Sequence, residues 1–313
     1  MNSNVPLMAA ALLIIGLLAT KTAKAATTQI ALPGCPEKCG DVEIPYPFGV
    51  GDEKCFLDAG FKLTCDGDSK LWTTQFRNEE TPTTQSQISR IDPVKGTMEI
   101  LMPVSRLCFH PICRTVADRQ PLLGVEPPTF SVSGDENKFF AVGCNTYAIL
   151  YGSEFSNGSI SPMDRDGYWT GCTTICGDEI ADHITECSGI GCCSITVPAG
   201  MRRIQTRALS FGEQTGGYNN SCSYGFVAKN GWFRARANDK NLRFNSSVLV
   251  IDWAVGKENQ TCGSDRRNIC HRRRKNTVCV DTKTRSGYRC RCRDGYEGNP
   301  YLPSGCQRKG ADV

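Results

Sequence analysis

"CGDVEIPYPFGV" occupies Cys39–Val50. Pro45 and Pro47 bracket Tyr46, and Phe48–Gly49 follow. Proline fixes φ, removes an amide donor and steers the residue before it away from helix. The stretch is therefore no helix and a poor central strand; it reads as a stiff extended edge through Ile44 and Tyr46. Gly49 permits a turn that a side chain would hinder. Tyr46 and Phe48 lie two residues apart and share one side of an extended segment. That side either packs into a small core or presents rings to a ligand, and the surrounding sequence has to decide.

Ahead of the stretch, Leu7–Ala19 is an apolar run too short to cross a bilayer as a stable helix. Ala23 and Ala25 follow with the small-x-small spacing of a signal-peptidase site, which makes 1–25 a leader. Lys21 and Lys24 fall after the run and not before it, so an uncleaved anchor is the alternative reading. No later run approaches the length of a span, and the tail 307–313 is polar. The expectation is a secreted chain with no membrane span after cleavage.

All 19 cysteines lie beyond the leader. In a secreted chain they read as a disulfide framework. Their share falls below that of a pure disulfide scaffold, so they assist hydrophobic cores and do not replace them. The count is odd, which leaves one thiol over. Adjacent Cys192 and Cys193 should point apart and tie two different segments to one place, because a bridge between neighbours needs a strained peptide. Four sequons, at Asn157, Asn219, Asn245 and Asn259, predict glycosylated surface loops in the middle of the chain.

Short β-rich runs recur: "FKLTC" (61–65), "TMEILMPVS" (97–105), "TFSVSG" (129–134), "KFFAVGC" (138–144). Gly, Pro, Asn and Asp clusters separate them, and helical periodicity is scarce. The fold class is mainly β, disulfide-rich and multi-module. The polar "NEETPTTQSQ" (78–87) reads as a loop. A Gly/Ser-rich connection at 151–167 separates a block 26–150 from a cysteine-dense block 151–261. The latter ends in "VLVIDWAV", a buried strand with Trp253 as core filler. A third block, 262–306, carries six cysteines and "GYEG" before the last.

Charge is uneven: residues 262–313 carry a net +8 and 26–261 a net −6. A basic cap on a mildly acidic body attracts polyanions. For a secreted chain that means an acidic polysaccharide or anionic surface, not nucleic acid. The enzyme classes find little support. There are three histidines, His110, His183 and His271, and no G-x-S-x-G or H-E-x-x-H arrangement. The Cys35/Cys39 and Cys172/Cys176 spacings suit disulfides better than zinc, and Glu258 stands alone where a calcium-binding module needs an acidic cluster. No catalytic residue, metal or cofactor is expected. The cations available for carboxylates are Arg272, Arg273 and Arg274 in the third block, with Arg289 and Arg291 near by. In the first block they are Lys38, Lys54, Lys62, Arg106 and Arg114.

"CPEKCGDVEIPYPFGVGDEKC", "FKLTC" and "FFAVGCNTYA" resemble the galacturonan-binding domain of plant wall-associated receptor kinases. "GCTTIC", "CSGIGCCSITVP", "SCSYGFVA" and "VLVIDWAV" resemble the cysteine-rich region that follows it there. "GYRCRCRDGYEGNPYLPSGC" is similar to their first epidermal-growth-factor-like repeat. The resemblance implies pairing Cys262–Cys279, Cys270–Cys290 and Cys292–Cys306. It implies a plant extracellular protein of the cell wall that binds pectin, meaning polygalacturonate or its oligomers. Tyr46, Phe48, Arg106, Arg114 and Arg272–Arg274 are the candidate contacts. A membrane receptor kinase of the same family is the candidate protein partner. The resemblance stops short of a membrane span and kinase, so neither activity nor attachment carries over. The other reading is an interaction module, co-receptor or decoy without pectin binding of its own.

Overall fold

The computed structural model describes residues 29–78, 85–109, 116–155, 167–176, 187–211, 222–234, 242–264, 268–271, 275–284 and 286–310. The leader lies outside them. Among the described residues no helix is long and apolar enough to cross a membrane.

The architecture is mainly β, with two single-turn helices. Strand β1 (Lys38–Cys39) pairs with β2 (Val42–Glu43) in a two-stranded ribbon. A seven-stranded sheet runs in the order β12 (Phe130–Val132), β20 (Ser246–Trp253), β8 (Thr97–Pro103), β7 (Ser86–Asp92), β5 (Leu71–Thr73), β4 (Lys62–Cys65), β3 (Gly49–Val50). A six-stranded sheet follows β10 (Val116–Arg119), β9 (Ser105–Phe109), β19 (Cys222–Lys229), β13 (Asn137–Val142), β17 (Cys192–Thr196), β16 (Ser188–Ile190). A five-stranded sheet runs β15 (Tyr168–Thr174), β14 (Thr146–Ser153), β18 (Arg203–Ser210), β11 (Leu122–Val125), β6 (Phe76–Asn78). The small C-terminal module has hairpins β21 (Thr277–Asp281) with β22 (Tyr288–Cys292) and β23 (Tyr296–Glu297) with β24 (Gln307–Arg308).

Two-residue alternation builds these sheets. In β18, "RIQTRALS", Ile204, Thr206 and Ala208 are buried and the residues between them are not. In β14, Ala148 and Leu150 face the core, while Tyr147, Ile149 and Tyr151 face away. The inner faces of all three large sheets meet in one apolar core, and Phe139, Ala148, Leu249 and Trp253 all belong to it. Buried Asn137 couples two sheets: its amide donates to the Val250 carbonyl at 2.8 Å and accepts from the Val250 N–H at 2.9 Å.

Within the opening stretch Ile44–Phe48 is buried against this core, while Gly49–Val50 forms β3, the edge strand of the seven-stranded sheet. Pro45–Phe48 is a tight turn around a cis Tyr46–Pro47 peptide, closed by the Phe48 N–H on the Pro45 carbonyl at 3.0 Å. A turn at Tyr46–Pro47 thus stands where a straight extended edge was expected, since the isomer of an X–Pro bond is not visible in the residue types. Phe48 is 1 % exposed and makes edge contacts with Phe61 and Trp253, each at 5.0 Å, and with Phe130 at 6.3 Å. Gly49 is required for space: a Cβ would collide with the Cys55 carbonyl.

Nine disulfides join 18 of the 19 cysteines. Cys113, the nineteenth, lies outside the described residues. Cys192 bonds Cys187 and Cys193 bonds Cys172, so the adjacent pair does tie two different segments. The third block pairs Cys262–Cys279, Cys270–Cys290 and Cys292–Cys306.

The first two sequence blocks do not form separate sheets. Residue 150 falls inside β14, and the 151–167 connection joins β14 to its antiparallel neighbour β15. Strand β20 of the second block is hydrogen-bonded to β8 and β12 of the first. Glycine and serine marked a turn there, and turns within a sheet share that composition with linkers between domains. Ser86 and Gln87, read as loop, begin β7.

The C-terminal module is docked on the body. Asn299 donates to the Tyr46 carbonyl at 2.6 Å and the Ile30 carbonyl at 3.2 Å. Tyr288 and Val255 exchange two backbone hydrogen bonds of 2.9 Å, and the Tyr301 ring lies 5.3 Å from Trp253. The Arg289 guanidinium spreads over Gly96, donating to the Trp253 carbonyl at 2.9 Å and the Lys95 carbonyl at 3.1 Å, with Asp252 at 3.4 Å. Lys283 pairs with Asp135.

Candidate functional site

Tyr46 and Phe48 are buried, Tyr46 at 8 % exposure, so neither ring is placed to stack on a ligand. The physical reason is the turn, which folds both rings toward the core instead of along a strand edge. Arg106 is exposed on β9, opposite Tyr224 on β19 and Arg119 on β10. That is the outer face of the six-stranded sheet, away from the opening stretch. Arg114 and Arg272–Arg274 lie outside the described residues, as do Asn157 and Asn219. Asn245 and Asn259 are exposed. Arg289, counted among the available cations, is committed to docking the C-terminal module. The structure therefore does not bring the described candidates together.

A different group is assembled on the outer face of the seven-stranded sheet. Thr64 on β4, Trp72 on β5 and Gln87 on β7 stand in one cross-strand row. Lys62 shares a face with Thr64, and Lys70 with Trp72, each two residues away. Lys62 and Lys70 are exposed, and Arg90 follows on β7 with 63 % of its side chain exposed. Arg90 approaches Asp92 only at 3.9 Å, an exposed pair of little strength. Acids also stand near this face: Glu99 pairs with Lys229 at 2.6 Å, Asp92 accepts the Val94 and Lys95 amides, Glu136 lines the same pocket as Arg90, and Asp68 is exposed in the turn before Lys70.

Trp72 is held in place by the turn beside it. Asp66 accepts the Asp68 and Lys70 amides at 3.0 and 2.8 Å through one oxygen. Its other oxygen accepts the Trp72 indole N–H at 2.7 Å. Those bonds, the Lys70 amide first and the indole second, hold the Asp66 carboxyl below its ordinary value. The indole thus has its polar edge satisfied and one orientation. The Lys62 ammonium lies 5.9 Å over the Phe56 ring, and Lys70 and Arg90 stand on the strands and turn beside Trp72. A ring face with cations on the same sheet face suits a sugar polymer that carries carboxylates: ring faces cover the apolar C–H side of a sugar, and cations meet the anions.

A cleft elsewhere on the body is a poor rival. About 290 Å³ in volume, it is lined by Asp58, Glu126, Pro127 and Phe130 among others and holds no Lys or Arg. Its acids repel a polyanion. Among the described residues no cluster of His, Cys, Asp and Glu is arranged to hold a metal.

Sequence reasoning missed Trp72, Lys70 and Arg90, although it named Lys62. The signal available was alternation: Lys62-x-Thr64 and Lys70-x-Trp72 repeat a cation two residues before a residue of the same row.

This face lies in a disulfide-rich β-protein, and its three central strands fall within residues 35–102. Those residues match the family described as wall-associated receptor kinase galacturonan-binding. Over 87 % of its length the chain is similar to wall-associated receptor kinases. It is 34 % identical over 283 residues to wall-associated receptor kinase 2 of Arabidopsis thaliana and 33 % identical over 284 residues to wall-associated receptor kinase 5. Wall-associated receptor kinase-like 10 of the same plant is 27 % identical over 306 residues. The chain spans about a third of the length of the two receptor kinases it matches at 33–34 % identity, 34 % in each case. No solved structure matches it.

Proposed function

We propose that this chain is a secreted, non-catalytic, pectin-binding protein of the plant cell wall. It captures polygalacturonate on the outer face of the seven-stranded sheet. The observation that carries the proposal is the position of Trp72, Lys62, Lys70 and Arg90: all four lie inside the segment that matches the galacturonan-binding family. Trp72 offers a fixed ring, and the cations offer counter-charges that a solvated polyanion can reach. Such capture is electrostatic and weakens as salt screens the charges. Arg106 and the Arg272–Arg274 run remain proposed secondary contacts. A receptor kinase of the same family is the proposed partner for the loaded protein.

The test is retention of the purified protein on immobilised polygalacturonate. Retention should be released by salt, lost on methyl-esterification of the polymer and weakened by Trp72→Ala or by Lys62→Gln with Arg90→Gln. Retention that ignores esterification excludes the reading, and depolymerisation of the polymer excludes the non-catalytic part of it.

A further inference from the structure

A second face carries similar chemistry far along the chain. On the five-stranded sheet the outward residues of β15, β14 and β18 align in rows. Trp169 stands opposite Tyr151, which stands opposite Gln205. In the next row Gly171 and Ile149 lead to Arg207, and on the other side Ser153 leads to Arg203. "RIQTR" thus places Arg203, Gln205 and Arg207 on one side of β18, a cation, an amide and a cation. Trp169 is 58 % exposed. Arg207 is half-buried: its Nε is enclosed and has no hydrogen-bond partner among the described residues, so the Nη end of the guanidinium is the part that can meet a ligand.

No outward position of β11, β14, β15 or β18 holds an acid. Isolated exposed aromatics need no explanation, but a tryptophan–tyrosine pair beside two arginines is a patch with a charge preference. The Cα atoms of Arg203 and Arg207 lie about 13 Å apart at ~3.3 Å per residue, with the Trp169–Tyr151 pair alongside, which is room for an extended anionic polymer to lie across the strands. Backbone donors and acceptors are consumed within the sheet, so this face offers side chains only: rings for apolar sugar faces, an amide for hydroxyls, guanidinium forks for carboxylates. That combination fits an acidic polysaccharide better than an added peptide strand.

We infer that the outer face of the five-stranded sheet is a second binding surface for a linear polyuronate, centred on Trp169, Tyr151, Gln205 and Arg207. The inference rests on the proposed function and adds a site outside the family-matched segment. It makes the protein bivalent toward the polymer, so that two moderate contacts act together.

The experiment measures polygalacturonate binding by the full glycosylated chain in four forms: unaltered, Trp72→Ala, Trp169→Ala with Arg207→Gln, and all three changes together. Thermal melts confirm that each form folds. The Trp72→Ala form should keep salt-sensitive binding, and adding the other two changes should weaken that remainder about tenfold or more. No remainder in the Trp72→Ala form, or a remainder indifferent to Trp169 and Arg207, overturns this site while leaving the first intact. Absence of binding by the unaltered chain overturns both. Polyglutamate serves as a charge-matched peptide; if it competes as well as polygalacturonate, the face reads acidic peptide and the inference falls.

Discussion

Phe48 shows how one residue can settle what the sequence left open. Its ring is enclosed by Phe61, Phe130 and Trp253, so truncation removes contacts with three partners at once. Phe48→Ala should destabilise the protein by about 3–5 kcal/mol, read from the denaturant midpoint under oxidising conditions. A cost below about 1 kcal/mol would mean the ring is not a core element. Asp66 acts differently, as an orienting group for a half-buried indole. Asp66→Ala frees the Trp72 N–H and four residues of turn. Polygalacturonate binding should weaken while the thermal midpoint moves little, and equal losses in both would assign Asp66 to stability alone.

At the scale of elements, the C-terminal module and the 45–48 turn fix each other. Asn299 reaches the Tyr46 carbonyl, and Arg289 reaches two body carbonyls and Asp252. Burial raises the Asp252 carboxyl above its ordinary 3.8, with Arg289 opposing the rise. A carboxyl raised in the folded state binds more protons folded than unfolded, so its contribution falls as pH climbs from 3.8 through the raised value. Stability measured against pH should show that decline, and Asp252→Asn should lack it; an unchanged slope in the variant would place the titration elsewhere. The Cys172–Cys193 bridge ties β15 to β17 across 21 residues of chain. Replacing both cysteines by alanine should cost about 2–4 kcal/mol, since the unfolded chain regains the freedom the bridge removed. A calorimetric or denaturant comparison checks it.

For the whole molecule, the sequence was most legible where local rules decide. Alternation marked β8, β13 and β20, the buried place of Trp253 followed from "VLVIDWAV", and the opposed directions of Cys192 and Cys193 followed from disulfide geometry. Long-range pairing was not legible. That β20 should lie between β8 and β12 depends on contacts across more than a hundred residues, and no spacing along the chain encodes it. The binding face was hidden for a related reason. Trp72 in a three-residue strand reads as core filler until its register with Thr64 and Gln87 shows that it faces out. Arg289 was misjudged by the converse logic: a cation in a basic run looked available, and its geometry spends it on docking.

The central claim is that the seven-stranded sheet's outer face captures a carboxylate polymer through Trp72 and the cations around it. The most direct measurement is the binding of the unaltered and Trp72→Ala proteins to polygalacturonate and to its methyl ester across a salt series. The account predicts binding to the free acid alone, falling with salt and clearly weaker in the variant. Equal binding to acid and ester, or a variant that binds as the unaltered protein does, would contradict it.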